Sequence, residues 1–113
     1  METKTYNGWR NYETWAVALW LDNEQGSYLY WRERAQEAWD NVAPGENYSG
    51  ETREDAAVAA LAAGLKEEHE EAMPDLGATV WADLMGAALS EVDWREIAAH
   101  YIADVEKAEG AEA

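Results

Sequence analysis

Apolar residues recur along the chain at the three-and-four spacing of amphipathic helices. Asn11 can cap a first helix running to about Asp22, with Tyr12, Trp15, Ala16, Leu19 and Trp20 as its apolar stripe. The run Asp22-Asn23-Glu24-Gln25-Gly26 reads as a stop. Ser27 then caps a second helix to about Val42, with Tyr28, Trp31, Ala35, Ala38, Trp39 and Val42 on one side. Thr52 followed by Asp55 resembles a capping box and opens a third helix. That helix carries Val58, Leu61, Ala62 and Leu65 and ends near Met73, because Pro74 disfavours helical backbone before it. Asp75 or Thr79 caps a fourth helix with Val80, Trp81, Leu84, Met85 and Leu89. Ser90 and Asp93 mark the cap of a fifth, carrying Trp94, Ile97, Ala98, Tyr101, Ile102 and Val105.

The pattern predicts an all-α fold, a compact bundle of four to five short helices. A length of 113 residues suits one domain, expected over 1–113. Residues 1–10 are expected to be irregular or extended, and 107–113 a frayed tail. The stretch from Ala43 to Gly50 reads as a turn-rich loop rather than a domain boundary.

Charge changes this picture. The chain holds 24 acidic and 8 basic residues, for a formal net charge of −16. Residues 1–43 hold 7 acids and 4 bases, while 44–113 hold 17 acids and 4 bases. Nine of the 13 aromatics precede residue 40, so the N-terminal part reads as the packing nucleus and the rest as the charged surface. Such a charge disfavours direct nucleic-acid or anionic-membrane contact and favours a basic partner. With no cysteine, disulfides, thiolate metal sites and cysteine nucleophiles are excluded. No signal peptide and no spanning helix are expected, which fits a cytoplasmic protein. No cofactor is expected, because no phosphate-binding glycine loop or paired-histidine metal motif is present.

The segment Tyr6-Asn7-Gly8-Trp9-Arg10-Asn11-Tyr12-Glu13-Thr14-Trp15 continues into Leu19-Trp20-Leu21-Asp22-Asn23-Glu24-Gln25-Gly26-Ser27-Tyr28. Over roughly residues 6–34 it resembles a family of small uncharacterised proteins with an Asn-Tyr-Glu-Thr-Trp motif, found in phage, plasmid and prokaryotic genomes. The resemblance implies a mobile-element context and supplies no catalytic residue.

Two surfaces are candidates for function. Glu67, Glu68, Glu70 and Glu71 crowd the third helix at spacings that share faces. Asp83, Glu91, Asp93 and Glu96 extend the field, together with Glu51, Glu54, Asp55, Asp75, Asp104 and Glu106. Carboxylates so dense can stand in for phosphates before the Lys and Arg of a nucleic-acid-binding protein. Solubility or salt adaptation explains the same acids. The other candidate is aromatic: Tyr6, Trp9, Arg10 and Tyr12 have the composition of a binding hot spot. In the structural alternative, Asn11 and Thr14 serve the helix start and the rings pack.

His69 is expected to lie solvated among carboxylates with a raised pKa, and His100 to form a polar edge beside Tyr101. Ser27, Ser49 and Ser90 suit caps and loops better than catalysis. The expectation is a non-enzymatic, stoichiometric counter-defence inhibitor. It would bind a CRISPR effector or restriction enzyme, a basic nucleic-acid-handling partner, through the acidic surface. The alternative is an interaction or self-association module using the aromatic N-terminal region. Either version is compatible with a monomer or a homodimer.

Overall fold

A computed structural model describes residues 5–42 and 52–105. Among them are five helices and no strand: α1 Tyr12–Asn23, α2 Gln25–Asp40, α3 Arg53–Ala72, α4 Val80–Ser90 and α5 Trp94–Ala103. The fold is the all-α bundle of short helices that the spacing predicts. The loop 43–50, residues 1–4, the tail from 106, and with them Glu51 and Glu106, lie outside the described residues.

Caps set the boundaries. The Asn11 side chain accepts from the N–H of Thr14 and starts α1. At α3 the capping box is complete: Thr52 Oγ1 accepts from Asp55 N, and Asp55 accepts from Thr52 N. Thr79 rather than Asp75 caps α4, and Asp75 instead accepts from Gly77 N within the preceding turn. Asp93 caps α5 through Glu96 N. The junction of α1 and α2 corrects the sequence reading. Glu24 alone breaks the chain, with φ −103° and ψ 117°, and α2 already begins at Gln25. Gly26 and Ser27 are helical, and the Ser27 hydroxyl donates to the Glu24 carboxylate at 2.6 Å. One extended residue suffices to redirect the helix axis, so the five-residue stop signal is not used.

The core lies between α3 and α5, the most extensively packed pair, with α2 closing over both and α1 against α2 and α5. Trp31, Ala35 and Trp39 of α2, Val58, Leu61 and Leu65 of α3, and Trp94, Ile97, Tyr101 and Ile102 of α5 are buried together. The packing nucleus is therefore not confined to the N-terminal part: α2 supplies its share, and α3 and α5 supply the rest. Arg53, at the start of α3, clasps the end of α2. Its Nη2 donates to the Trp39 carbonyl at 2.9 Å, and its guanidinium lies 4.1 Å from the Trp39 ring centre.

Two stripes face opposite to expectation. On α1 the buried residues are Thr14, Ala18 and Leu21, while Tyr12, Leu19 and Trp20 are exposed and Trp15 and Ala16 half-buried. The run Trp15–Leu21 is apolar all round, so periodicity cannot select the inward face. A buried hydrogen bond at Thr14 selects it. On α4 no residue is buried. Val80, Trp81 and Leu84 are exposed, and only Ala82, Met85 and Leu89 on the other side are partly covered, Leu89 against the core. The α4 stripe is real, but it faces outward.

Candidate interaction surface

The N-terminal segment begins with a tight turn. Tyr6 and Trp9 exchange backbone hydrogen bonds of 2.7 and 2.8 Å across Asn7-Gly8. Both central residues have positive φ, 50° and 88°, the conformation that favours an Asn-Gly pair. Reversal of the chain lays the Tyr6 ring on α1. Tyr6, Tyr12 and Trp15 form a mutual cluster with ring-centre distances of 5.2, 4.9 and 5.4 Å. Tyr6 and Tyr12 remain exposed.

On the α1 wheel, Tyr12, Trp15, Ala16 and Leu19 share the side away from Thr14, Ala18 and Leu21, with Trp20 at one shoulder. Trp20 is 74% exposed, far more than a packed tryptophan allows. Glu13 and Asp22 stand at the two borders of this face, so an apolar strip is edged by carboxylates. Leu29 and Tyr30 of α2 are exposed as well. Scattered exposed apolar side chains need no explanation; a ring cluster continued along a helix face is a different matter.

The aromatic candidates divide. Tyr6 and Tyr12 belong to the outward cluster. Trp9 turns inward, packs against the core and stacks on His100 at 4.2 Å. Arg10 is spent on the fold: its N–H donates to Glu96 at 2.9 Å, and its guanidinium is 3.7 Å from Asp93. Tyr6, Trp9, Arg10 and Tyr12 thus form no single patch. Sequence reasoning missed Leu19 and Trp20 as surface residues, and Trp15 as only half-buried. The available signal was the seven-residue apolar run, too wide for a helix buried on one side.

The acidic candidates divide too. Glu68 accepts from the Tyr30 hydroxyl, which is 3.0 Å from both carboxylate oxygens. That hydrogen bond, then burial and the Glu68 charge, raise the Tyr30 pKa. Glu70 pairs with Lys66 at 2.9 Å. Asp93 caps α5 and meets Arg10, Glu96 accepts the Arg10 N–H, and the backbone carbonyl of Glu91 accepts from the Asn11 side chain at 2.7 Å. Glu67 and Glu71 on α3 and Asp83 on α4 are exposed, with no side-chain partner among the described residues.

His69 is not solvated among its neighbouring glutamates. Its ring is half-buried between Trp31, at 6.0 Å, and Trp94, at 5.1 Å, and its Nδ1 is 2.7 Å from the Leu65 carbonyl. Apolar contact on both sides and a backbone acceptor one turn back draw the ring into the core edge. Among the described residues no cluster of His, Asp and Glu could hold a metal ion, and no helix is long and apolar enough to cross a membrane.

The model of a family of unknown function, DUF7249, matches residues 2–107. The chain belongs to that family. The match reaches far beyond the Asn-Tyr-Glu-Thr-Trp segment and takes in all five helices. No curated protein and no solved structure matches the chain.

Proposed function

We propose that this DUF7249 protein is a binding protein without turnover. Its docking surface is the outward face of α1, and its occupant is a partner protein with an apolar contact rimmed by Lys and Arg. The observation that carries this reading is the pair of exposed rings Tyr6 and Tyr12, packed on half-buried Trp15 and continuing through exposed Leu19 and Trp20 between Glu13 and Asp22. Aromatic anchors supply binding energy in a desolvated centre, and carboxylates at the border select a cationic rim. A second copy suits this face poorly, since it would set −16 against −16.

A second, narrower reading is that the partner is a nucleic-acid-handling complex of a host defence system, a CRISPR effector or a restriction enzyme. Carboxylates would then occupy the phosphate sites of that complex, as a mobile element's inhibitor requires. Glu67, Glu71 and Asp83 favour it, because they carry charge that the fold does not use. Glu68, Glu70, Asp93 and Glu96 enter this reading only by adding to the field, since each already has a partner.

One experiment separates the two. The tagged chain captures partners from a prokaryotic lysate, beside a Tyr12→Ala/Trp20→Ala variant and a Glu67→Gln/Glu71→Gln variant, each checked for helicity. The first reading expects the aromatic variant to lose a partner that the glutamine variant keeps. The second expects the glutamine variant to lose it and moderate salt to release it. Retention of the same partners by both variants overturns both readings.

A further inference from the structure

A small pocket behind α1 has a lining unlike the rest of the surface. It encloses about 190 Å³ between the Asn7-Gly8 turn, the α1–α2 junction and the end of α5. Three aromatic rings, Trp9, Tyr28 and Tyr101, contribute to its wall, and His100 stacks on Trp9. Tyr28 and Tyr101 have ring centres 6.4 Å apart. Two carboxylates, Asp22 and Asp104, also line it, and no Lys or Arg does. The Tyr101 hydroxyl donates to Asp22 at 3.1 Å, so its proton is directed at the carboxylate, which remains the acceptor of the pair.

From this lining we infer that the pocket takes a small organic cation of the quaternary ammonium class. Aromatic faces attract a cation through their ring quadrupoles, most strongly where water is excluded. Carboxylates at the rim neutralise the charge without demanding the hydrogen bonds that a quaternary head cannot give. An inorganic cation would leave the rings without a role, and an anion would meet two carboxylates. The Tyr28 ring already serves in this way elsewhere in the fold: the Arg32 guanidinium, outside the pocket lining, lies 5.6 Å from its centre. The pocket lies on the buried side of α1, where Ala18 contributes to its lining, and of the residues named for the α1 docking face it shares only Asp22, at the border between the two.

The test is a nitrogen-15 NMR titration of the whole chain at constant ionic strength. The probes are choline, its neutral isostere 3,3-dimethylbutanol, and Nε-trimethyllysine amide. Choline is expected to give saturable shifts confined to the Trp9 indole and the backbone around Asp22, Tyr28, Ile97 and Tyr101. The isostere should bind about tenfold more weakly or not at all. Asp104→Asn, an exposed and conservative change, should weaken choline at least severalfold, as should Asp22→Asn, which keeps an acceptor for Tyr101. Tighter binding of the lysine derivative assigns the site to a partner's methylated side chain; tighter binding of choline assigns it to a free solute. Equal shifts from choline and isostere, shifts spread across the acidic surface, or no saturation by tens of millimolar would each overturn the inference.

Discussion

The hydroxyl of Thr14 accepts a 2.8 Å hydrogen bond from the backbone N–H of Asp93, 79 positions later in the chain. Thr14 is fully buried, and its hydroxyl also donates to Asn11 Oδ1 at 2.6 Å. Asn11 in turn caps α1 and reaches the Glu91 carbonyl, while Asp93 caps α5. Two helix starts are thereby joined by one network, with Arg10 bracing it from outside. The Asn-Tyr-Glu-Thr-Trp segment is a structural device at Asn11 and Thr14, and a surface at Tyr12.

Thr14→Val tests that device. The isosteric change leaves the Asp93 N–H without its acceptor in a closed site, a cost of about 1–3 kcal/mol. Thr14→Ser keeps the hydroxyl and should lose less. Urea denaturation at fixed ionic strength measures both. Equal stability of Thr14→Val and the parent chain would show that the network holds nothing together.

The tryptophans divide into two groups by the same logic. Trp20 touches little, so Trp20→Ala should change stability by no more than about 0.5 kcal/mol. Trp31 is buried and stacked on His69, and Trp31→Ala should cost about 3–5 kcal/mol. Acrylamide quenching should fall sharply on removal of Trp20 and little on removal of Trp31.

Tyr101 makes stability pH-dependent on the alkaline side. Burial first, then the Asp22 charge and the hydrogen bond to it, raise the phenol pKa above its ordinary value of 10.0. The folded state therefore holds the proton more tightly than the unfolded chain. This contribution is complete below about pH 10 and is lost as pH climbs from there toward the folded value. Tyr101→Phe should be less stable than the parent at pH 8, and the difference should shrink above pH 10. Denaturation of both chains across pH 8–11 gives the comparison, and a gap that widens with pH would contradict the assignment.

The sequence disclosed the helices more readily than their orientation. Asn11, Thr52, Thr79 and Asp93 were legible because capping is local chemistry within three residues. The stripes of α2 and α5 were legible because each has one apolar side. The inward face of α1 was not, since both sides are apolar and the choice rests on Thr14 meeting Asp93 across the chain. For the same reason the acids looked equivalent in sequence. Only the fold shows that Asp93 and Glu96 are committed to Arg10 while Glu67 and Glu71 are not.

α4 is the element where local order and packing part company. It has a good cap at Thr79 and a strongly apolar sequence, yet Trp81 is 65% exposed and the helix buries none of its residues. Most helical stability in proteins comes from packing a face, and an isolated 11-residue helix is marginal in water. α4 should therefore open far more easily than α3 or α5, which enclose the core. Native-state hydrogen exchange should show the amides of Asp83 to Ser90 exchanging first among the five helices, by local opening insensitive to low denaturant. Leu61→Ala in the core should speed α3 and α5 and leave the α4 amides nearly unchanged. Protection of α4 equal to that of α5 would mean that something in solution covers Val80, Trp81 and Leu84. A concentration dependence of that protection would identify the cover as a second copy of the chain.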